Sequence, residues 1–212
     1  YWGSFRRDSM GEAIRNISKT NREKLVVVLQ TYSRWPIFTR MSFHRGLKQL
    51  KIDYADVLLL GWYNKMPPQK LLDEAMKMKE KGLVKKIAIS CHNRPMFQTF
   101  IEDGRFDIIM TRYNAAHRGA EREVFPALEV KEKSQRPGVI AYTSTRWGAL
   151  INPKFTPAGL KTPTAADCYR FSLSNPYVDL CLTGPSTEAE TIENLKALEL
   201  GPLSSEEREW MK

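Results

Sequence analysis

The 212-residue sequence predicts an α/β fold built on a parallel sheet. Six short apolar runs recur along the chain, and they are continuous rather than alternating with polar residues, which is typical of strands buried on both faces. Stretches with helical character separate the runs, and a strict alternation of strand and helix requires crossover connections between parallel strands. The six runs are 25–31, 56–62, 86–90, 107–113, 138–144 and 178–184.

The stretches between the strands carry helix start and stop signals. Residues 67–82 begin with two prolines and end at Gly82, as a helix with a proline start and a glycine stop does. Ser9 with Glu12, and Ser204 with Glu207, have the spacing of a capping box. Residues 146–163 contain three prolines and two glycines and predict a long functional or disordered loop. Further helices are predicted within 40–50, 94–104, 121–133, 163–175 and 186–200.

Two architectures fit this alternation, a doubly wound sheet and an eight-stranded β/α barrel. No G-x-G-x-x-G follows the first strand, which weakens the dinucleotide-binding version of the doubly wound sheet. Six β/α units are two fewer than a barrel contains, and the first residue is Tyr1 rather than Met. We therefore expect residues 1–212 to be a single barrel domain whose first two strands lie upstream.

Composition and charge indicate which kinds of ligand or partner the protein binds. The chain is 42% hydrophobic and 27% charged, and no stretch approaches the roughly 18 apolar residues that span a bilayer, so no membrane association is predicted. No signal peptide is visible, and the widely spaced Cys91, Cys168 and Cys181 predict neither a disulfide framework nor a metal site, which favours a cytoplasmic protein. The net charge is +9, but the basic residues are scattered, which favours an anionic cofactor or substrate over nucleic acid.

Four parts of the chain, in order, resemble the aldo-keto reductase family. They are residues 1–15, residues 47–62 with "LKQLKIDYADVLLLGW", residues 113–128, and residues 138–150 together with 173–204. The resemblance implies a (β/α)8 TIM barrel, of which this chain covers about six of the eight units. It also implies that NADP or NAD binds at the C-terminal mouth of the barrel and exchanges a hydride with a small-molecule carbonyl or alcohol substrate.

The catalytic group that the resemblance implies is incomplete. The family uses an Asp, a Tyr, a Lys and a His, of which Tyr1 matches the Tyr and the Asp would precede the chain. Tyr32 stands where the Lys is expected, and Gly61 stands where the His is expected. His92 follows the third strand and is the best substitute acid, although it also fits an ordinary surface histidine of a loop.

The two replacements have chemical consequences. A tyrosine hydroxyl has an unperturbed pKa of about 10, and a neighbouring cation lowers it toward the operating pH. Without the Lys, Tyr1 is expected to be a poorer proton donor by about 10²- to 10⁴-fold. The space left by the side chain missing at Gly61 would admit a bulkier substrate or be filled by Trp62 or Tyr63.

The resemblance also implies a set of cofactor-binding residues. Ser90 matches the family's nicotinamide-binding Ser, whereas Cys91 and Met110 replace an Asn and a Gln with the same task. Tyr142 matches the aromatic residue on which the nicotinamide stacks. Hydroxyls, a guanidinium and the amides of a helix N-terminus suit the phosphates, and two further side chains suit the adenine. These residues are Thr143, Ser144, Thr145 and Arg146, then Gly184, Ser186 and Thr187, and for the adenine Glu193 and Asn194.

Glu190 bears on the choice between the two cofactors. Relatives that prefer NADPH place a basic residue at this position, and a carboxylate would repel the 2′-phosphate. The same residue forms a capping-box pattern with Thr187, so it also fits a purely structural role. The sequence leans slightly toward NADH and leaves the preference between NADP and NAD undecided.

Three functions are compatible with these residues. The first is a divergent aldo-keto reductase with Tyr1 as the proton donor. The second is a non-catalytic barrel that binds a nicotinamide cofactor as a sensor or partner subunit. The third is a barrel lyase or isomerase that uses Tyr1, Tyr32 and His92 without hydride transfer. The fold alone does not separate them.

Overall fold

The computed structural model describes residues 8–212, so Tyr1 lies outside the described residues. The chain forms two compact units, one made of the residues up to 92 with 102–108, the other of 93–101 with 109–212. Among residues 8–212, no helix is both long and apolar enough to cross a membrane.

In the first unit, strands β1 to β3 lie side by side in chain order and run parallel. The central strand β2 is buried at all six positions, as expected in a parallel sheet. Apolar faces of two helices complete the core with Phe43, Leu47, Leu71 and Leu72. The elements are α1 (Ser9–Asn21), a 3₁₀ turn (Arg22–Lys24), β1 (Val28–Thr31), α2 (Pro36–Leu50), β2 (Ala55–Leu60), α3 (Gln69–Glu80) and β3 (Val84–Ser90).

In the second unit, strands β4 to β6 follow chain order, and β5 pairs with β6 in parallel. Its core contains Tyr113, whose ring centroid lies 5.2 Å from that of Phe125 and 5.7 Å from that of Phe171. The later elements of the chain are α4 (Met96–Asp103), β4 (Ile108–Arg112), α5 (Ala120–Glu123), α6 (Pro126–Glu129), β5 (Gly138–Tyr142), a 3₁₀ turn (Pro153–Phe155), α7 (Ala165–Leu173), β6 (Leu180–Cys181), α8 (Glu188–Leu200) and α9 (Ser205–Met211).

The six predicted strands are present, each within or close to its apolar run. The last is the shortest, with only Leu180 and Cys181 in the ladder. The helix predicted within 121–133 is instead two short helices, because Pro126 has no N–H to continue the first one. The predicted loop 146–163 is irregular except for one 3₁₀ turn.

The capping predictions have different outcomes. Helix α3 is followed by Gly82 at φ 71°, and α9 has the full capping box of Ser204 and Glu207, so both predictions are confirmed. The capping box predicted at Ser9 is wrong, because Ser9 is already helical and Asp8 is the N-cap residue, without a capping hydrogen bond from its side chain. The chain therefore enters α1 one residue earlier than the pattern indicated.

A buried carboxylate, Asp56, joins three elements of the first unit. It accepts hydrogen bonds from the Val27 amide at 2.8 Å, from Arg22 at 2.9 Å and from Lys85 at 2.9 Å. Burial acts to raise the pKa of Asp56, but these three donors outweigh it, so the pKa lies below the ordinary 3.8. The ionised carboxylate therefore stabilises the folded state.

Replacing Asp56 by Asn should lower the free energy of unfolding at neutral pH, since Arg22 and Lys85 lose their partner. A lowered pKa contributes stability above the unfolded-state value, and this contribution disappears as the pH falls through the folded-state value. The difference in urea midpoint between wild type and Asp56→Asn should therefore be constant from about pH 7 down to about pH 4 and shrink as the pH falls further. Asp53→Asn, at a nearby exposed position, is the control. If the difference in urea midpoint does not change with pH, the lowered pKa of Asp56 does not contribute to stability as predicted.

Candidate active site and cofactor cavity

The ends of β1 and β2 bring Tyr32 and Gly61 together. A Cβ atom at Gly61 would lie 2.8 Å from the Tyr32 ring carbon Cε1 and 2.6 Å from Gln30 Nε2. Distances below 3.0 Å do not occur for real Cβ atoms, so a side chain at residue 61 requires both neighbours to move. A side chain at residue 61 would therefore collide with Tyr32 and Gln30, and the expectation that Trp62 or Tyr63 fills the space stays a prediction.

Arg34 stabilises the backbone that follows Gly61. Its guanidinium donates to the Gly61 carbonyl at 3.1 Å and to the Trp62 carbonyl at 2.5 Å. It also lies 3.7 Å from the ring centroid of Tyr63, whose hydroxyl donates to the Ser33 carbonyl at 2.9 Å. Burial raises the pKa of Tyr63, although the Arg34 cation opposes this. Tyr63 therefore remains a neutral phenol.

Ser90 and Trp62 meet at the end of β3. The Ser90 hydroxyl oxygen accepts from the Trp62 amide at 2.9 Å, and the Ser90 carbonyl accepts from the Tyr63 amide at 2.8 Å. Trp62 has a positive φ of 59°, which is uncommon for a residue with a side chain. The Ser90 hydroxyl, expected at the nicotinamide, thus supports this unusual backbone.

Cys91 and His92 share one partner, Asn64. Its side-chain oxygen accepts from the Cys91 thiol at 3.5 Å and from the His92 amide at 3.0 Å. Cys91 is buried, whereas His92 is exposed and its ring centroid lies 5.8 Å from that of Trp62. Nearby, a cavity of about 830 Å³ is lined by Arg34, residues 62–66 and Pro68. The structure thus groups Ser90, Cys91 and His92 at one end of the first unit.

A cavity of about 500 Å³ in the second unit brings together seven of the predicted cofactor residues. It lies among the ends of β5 and β6 and the N-terminus of α8. Five other predicted residues, Met110, Tyr142, Arg146, Thr187 and Glu193, do not line it. The seven that do are Thr143, Ser144, Thr145, Gly184, Ser186, Glu190 and Asn194. Trp147, which the sequence predicts near the mouth, also lines the cavity, as do Tyr169 and Thr183, which were not singled out from the sequence.

The three hydroxyls after β5 already have protein partners. Thr143 donates to the Tyr142 carbonyl at 2.7 Å, and Thr145 accepts from the Gly148 amide at 3.2 Å. The Ser144 oxygen lies 2.7 Å from the sulfur of Cys181. These side chains therefore shape the loop as well as line the cavity.

The backbone of this loop is unusual. Thr143, Arg146 and Trp147 have positive φ angles of 58°, 51° and 54°, and such conformations concentrate at functional sites. Asn114 supports the loop, since its amide nitrogen donates to the Thr143 carbonyl at 2.8 Å. The sequence did not single out Asn114, because a side chain at the end of β4 does not reveal which distant carbonyl it contacts.

The start of α8 departs from the predicted capping box. The Thr187 hydroxyl accepts from the Glu190 amide at 3.2 Å, as predicted. The Glu190 carboxylate, however, accepts from the Ser186 amide at 2.6 Å rather than from Thr187. The Glu190 carboxylate thus already places a negative charge at the N-terminus of α8. Glu193 forms an ion pair with Lys196 at 2.6 Å, and Asn194 donates to the Thr183 hydroxyl.

Comparison with known proteins relates this geometry to a family. A family model with the description "Aldo/keto reductase family" matches residues 7–161. The holo form of an aldo-keto reductase from Bacillus halodurans is 18% identical, with a TM-score of 0.79, over 95% of this chain and 75% of that one. An aldo/keto reductase from Klebsiella pneumoniae in complex with NADP and acetate is 18% identical, with a TM-score of 0.74, over 95% and 74%. Curated proteins gave no match.

Identities of 18% establish a shared fold only. That fold agrees with the predicted (β/α)8 architecture, of which six strands are present here. The family match covers well over half of the chain and includes most of residues 1–15 and all of 47–62, 113–128 and 138–150, whereas 173–204 lies beyond it. The chain therefore belongs to the aldo/keto reductase family, a family of oxidoreductases.

Proposed function

We propose that this protein is an oxidoreductase that uses NADPH or NADH to transfer a hydride to or from a small-molecule carbonyl or alcohol. The observation that carries the proposal is the cavity of the second unit, which gathers seven residues that the family resemblance assigns to the cofactor. These residues come from two segments that are far apart in the chain, 143–145 and 184–194. Their convergence on one cavity favours a retained cofactor site.

The residues that line the cavity fit a dinucleotide. Its volume of about 500 Å³ suits part of such a ligand, and Gly184 has open space around its Cα atom. The hydroxyls of Ser186 and Thr145 are suitable donors for phosphate oxygens. The bound nicotinamide would supply the hydride, and the protein would orient it and exclude water.

The proton donor in this proposal is Tyr1, as the family resemblance implies. At neutral pH a tyrosine hydroxyl is protonated and can donate to a carbonyl oxygen that receives a hydride. Tyr32 brings no positive charge to favour the tyrosinate, and Arg34 is already bound to the Gly61 and Trp62 carbonyls. We therefore expect slow turnover compared with a reductase that has the complete catalytic group.

The second candidate is a non-catalytic barrel that binds the cofactor as a sensor or partner subunit. Its support is the packing around Gly61, where Tyr32 and Gln30 occupy the space that a catalytic His would need. Such packing favours loss of the chemistry with retention of the cofactor cavity. Cofactor binding is common to both candidates, and turnover separates them.

The experiment that tests the proposal is a titration of tryptophan fluorescence with NADPH and NADH in parallel. Trp147 lines the cavity and is 73% exposed, so bound nucleotide should quench its emission. Saturable quenching that is lost in Trp147→Phe, with binding confirmed by calorimetry, would support the site. The absence of calorimetric binding for both nucleotides would contradict both candidates. Cofactor oxidation with a panel of aldehydes and ketones then distinguishes enzyme from sensor.

Replacing Glu190 by Arg should improve NADPH binding relative to NADH. The change removes a carboxylate at the cavity and adds a guanidinium that can pair with the 2′-phosphate. A charge-assisted hydrogen bond contributes about 1.5–3 kcal/mol, so the ratio of the two dissociation constants should change by roughly tenfold or more. Glu188→Arg, an exposed position in the same helical turn, is the control. Equal changes in both variants would contradict the role of Glu190.

A further inference from the structure

The second unit contains another cavity, of about 450 Å³, which we call the basic pocket. Its lining side chains include Arg94, His117, Arg118 and Arg122, and one carboxylate, Glu121. No residue of this lining also lines the 500 Å³ cavity. The family comparison assigns no role to it.

Arg94 is held in place before any ligand arrives. Its Nε and Nη2 atoms donate to the two carboxylate oxygens of Glu123 at 3.2 Å and 3.1 Å. The guanidinium also packs on Gly119, where a Cβ atom would lie 2.5 Å from Nη2. A guanidinium has five N–H groups, so three remain for a ligand. Arg94 thus offers a fixed donor set.

Arg118 and Arg122 have no ion pair or side-chain hydrogen bond within residues 8–212. The nearby carboxylate of Glu121 is already engaged, since it accepts from the buried Tyr113 hydroxyl at 2.6 Å. Glu209 is close enough to be influenced by Arg118, but it is paired with Lys212 at 2.6 Å. The positive charges of the basic pocket therefore exceed its available negative charges.

The electrostatic environment of His117 is positive. Its pKa is lowered, first by burial and then by the cations Arg112, Arg146 and Arg94. Its Nδ1 atom is buried and has no hydrogen-bond partner among the described residues. A neutral imidazole therefore stands at the edge of a region crowded with guanidinium groups.

The loop that carries His117 and Arg118 is held by buried hydrogen bonds. Its turn is closed by Asn114, whose side-chain oxygen accepts from the amides of Ala116 at 3.1 Å and His117 at 2.9 Å. Asn114 is fully buried, so these bonds are shielded from water. The basic groups are consequently organised by the fold rather than scattered on a mobile surface.

We propose that the basic pocket binds the phosphoryl group of a small molecule. Three guanidinium groups around one cavity match an anion with several acceptor oxygens, and arginine suits phosphate through paired N–H donors. The volume of about 450 Å³ leaves room for a small organic group attached to the phosphate. The proposal does not rest on the proposed oxidoreductase activity.

The test is calorimetric titration of the whole chain with inorganic phosphate and with glycerol 3-phosphate. The double variant Arg118→Gln with Arg122→Gln should weaken binding of the phosphorylated probe by at least about tenfold. The loss of one charge-assisted hydrogen bond is by itself enough to raise the dissociation constant by about that factor. Arg45→Gln removes one charge from an exposed position on α2 and should leave the affinity unchanged. Gly119→Ala should also weaken binding, because the new methyl group displaces the Arg94 guanidinium.

The outcomes separate the sources of the phosphoryl group. Arginine-dependent binding of either probe would support the basic pocket, and preference for glycerol 3-phosphate would identify an organic phosphate. If the double variant weakens NADPH but not NADH, the phosphoryl group belongs to the cofactor. Two results would overturn the proposal. One is no saturable binding of either phosphate probe together with NADPH binding that the double variant leaves unchanged, and the other is a loss of affinity in the double variant no larger than that in Arg45→Gln.

Discussion

Replacing Tyr32 by Lys should increase the rate of carbonyl reduction by about 10²- to 10⁴-fold, the range associated with general acid catalysis. Tyr32 directly follows β1, at the position where the family resemblance implies a Lys, and is 50% exposed, so a lysine side chain can be accommodated. A cation there would stabilise the tyrosinate form of Tyr1 and lower the pKa of its hydroxyl. The measurement is oxidation of NADPH and NADH with a panel of aldehydes.

The pH profile makes this prediction specific. Because the cation lowers the pKa of the proton donor, the basic limb of the rate profile should move to lower pH in Tyr32→Lys. Tyr32→Met has a side chain of comparable length without the charge, and it should not reproduce the increase. If Tyr32→Met accelerates the reaction as much as Tyr32→Lys, removal of the ring from Gly61 is the cause instead.

Restoring the family's His is expected to need a second change. Gly61→His alone should destabilise the protein, since its Cβ atom would collide with Tyr32 and Gln30. With Tyr32→Lys the ring is removed, and only the flexible Gln30 side chain has to move. The double variant should therefore fold better than Gly61→His, and a lower melting temperature for the double variant would count against this packing argument.

Replacing Asn114 by Ala should lower the free energy of unfolding by about 1–3 kcal/mol. The change removes one hydrogen bond to the Thr143 carbonyl and two from the Ala116 and His117 amides, and the Asn114 side chain that makes them is fully buried. The Thr143 carbonyl keeps the Arg146 amide as a donor and the His117 amide keeps the Asn114 carbonyl as an acceptor, so only part of this hydrogen bonding is lost. For a protein of this size, the melting temperature should fall by roughly 2–12 °C.

Asn114 should also affect ligand binding, because it supports a loop of the 500 Å³ cavity and a loop of the basic pocket. Asn114→Ala should weaken nucleotide binding through the 143–148 loop and phosphate binding through the loop with His117. Asn16→Ala, at an exposed position of α1, is the control and should change stability by less than about 0.5 kcal/mol. A loss of stability without any effect on either ligand would mean that the loops keep their shape without Asn114.

The sequence by itself determined the order of strands and helices and the family. Continuous apolar runs such as 56–62 identify buried parallel strands, because a strand that is buried on both faces needs apolar residues at consecutive positions. The same holds for Gly82 and for Ser204 with Glu207, whose contacts lie within one helical turn. The replacement of the family's Lys by Tyr32 and of its His by Gly61 stays a prediction from the resemblance, made at single positions of the pattern.

Only the tertiary structure decided what surrounds those positions. Gln30 and Tyr32 occupy the space above Gly61, and Asn114 supports a loop 29 residues away. The basic pocket likewise combines Arg94 with residues that follow the next strand. These contacts depend on strands that meet in a sheet after long crossovers, so no local spacing encodes them. Side-chain partners across the fold are set by packing, and packing is a property of the assembled chain.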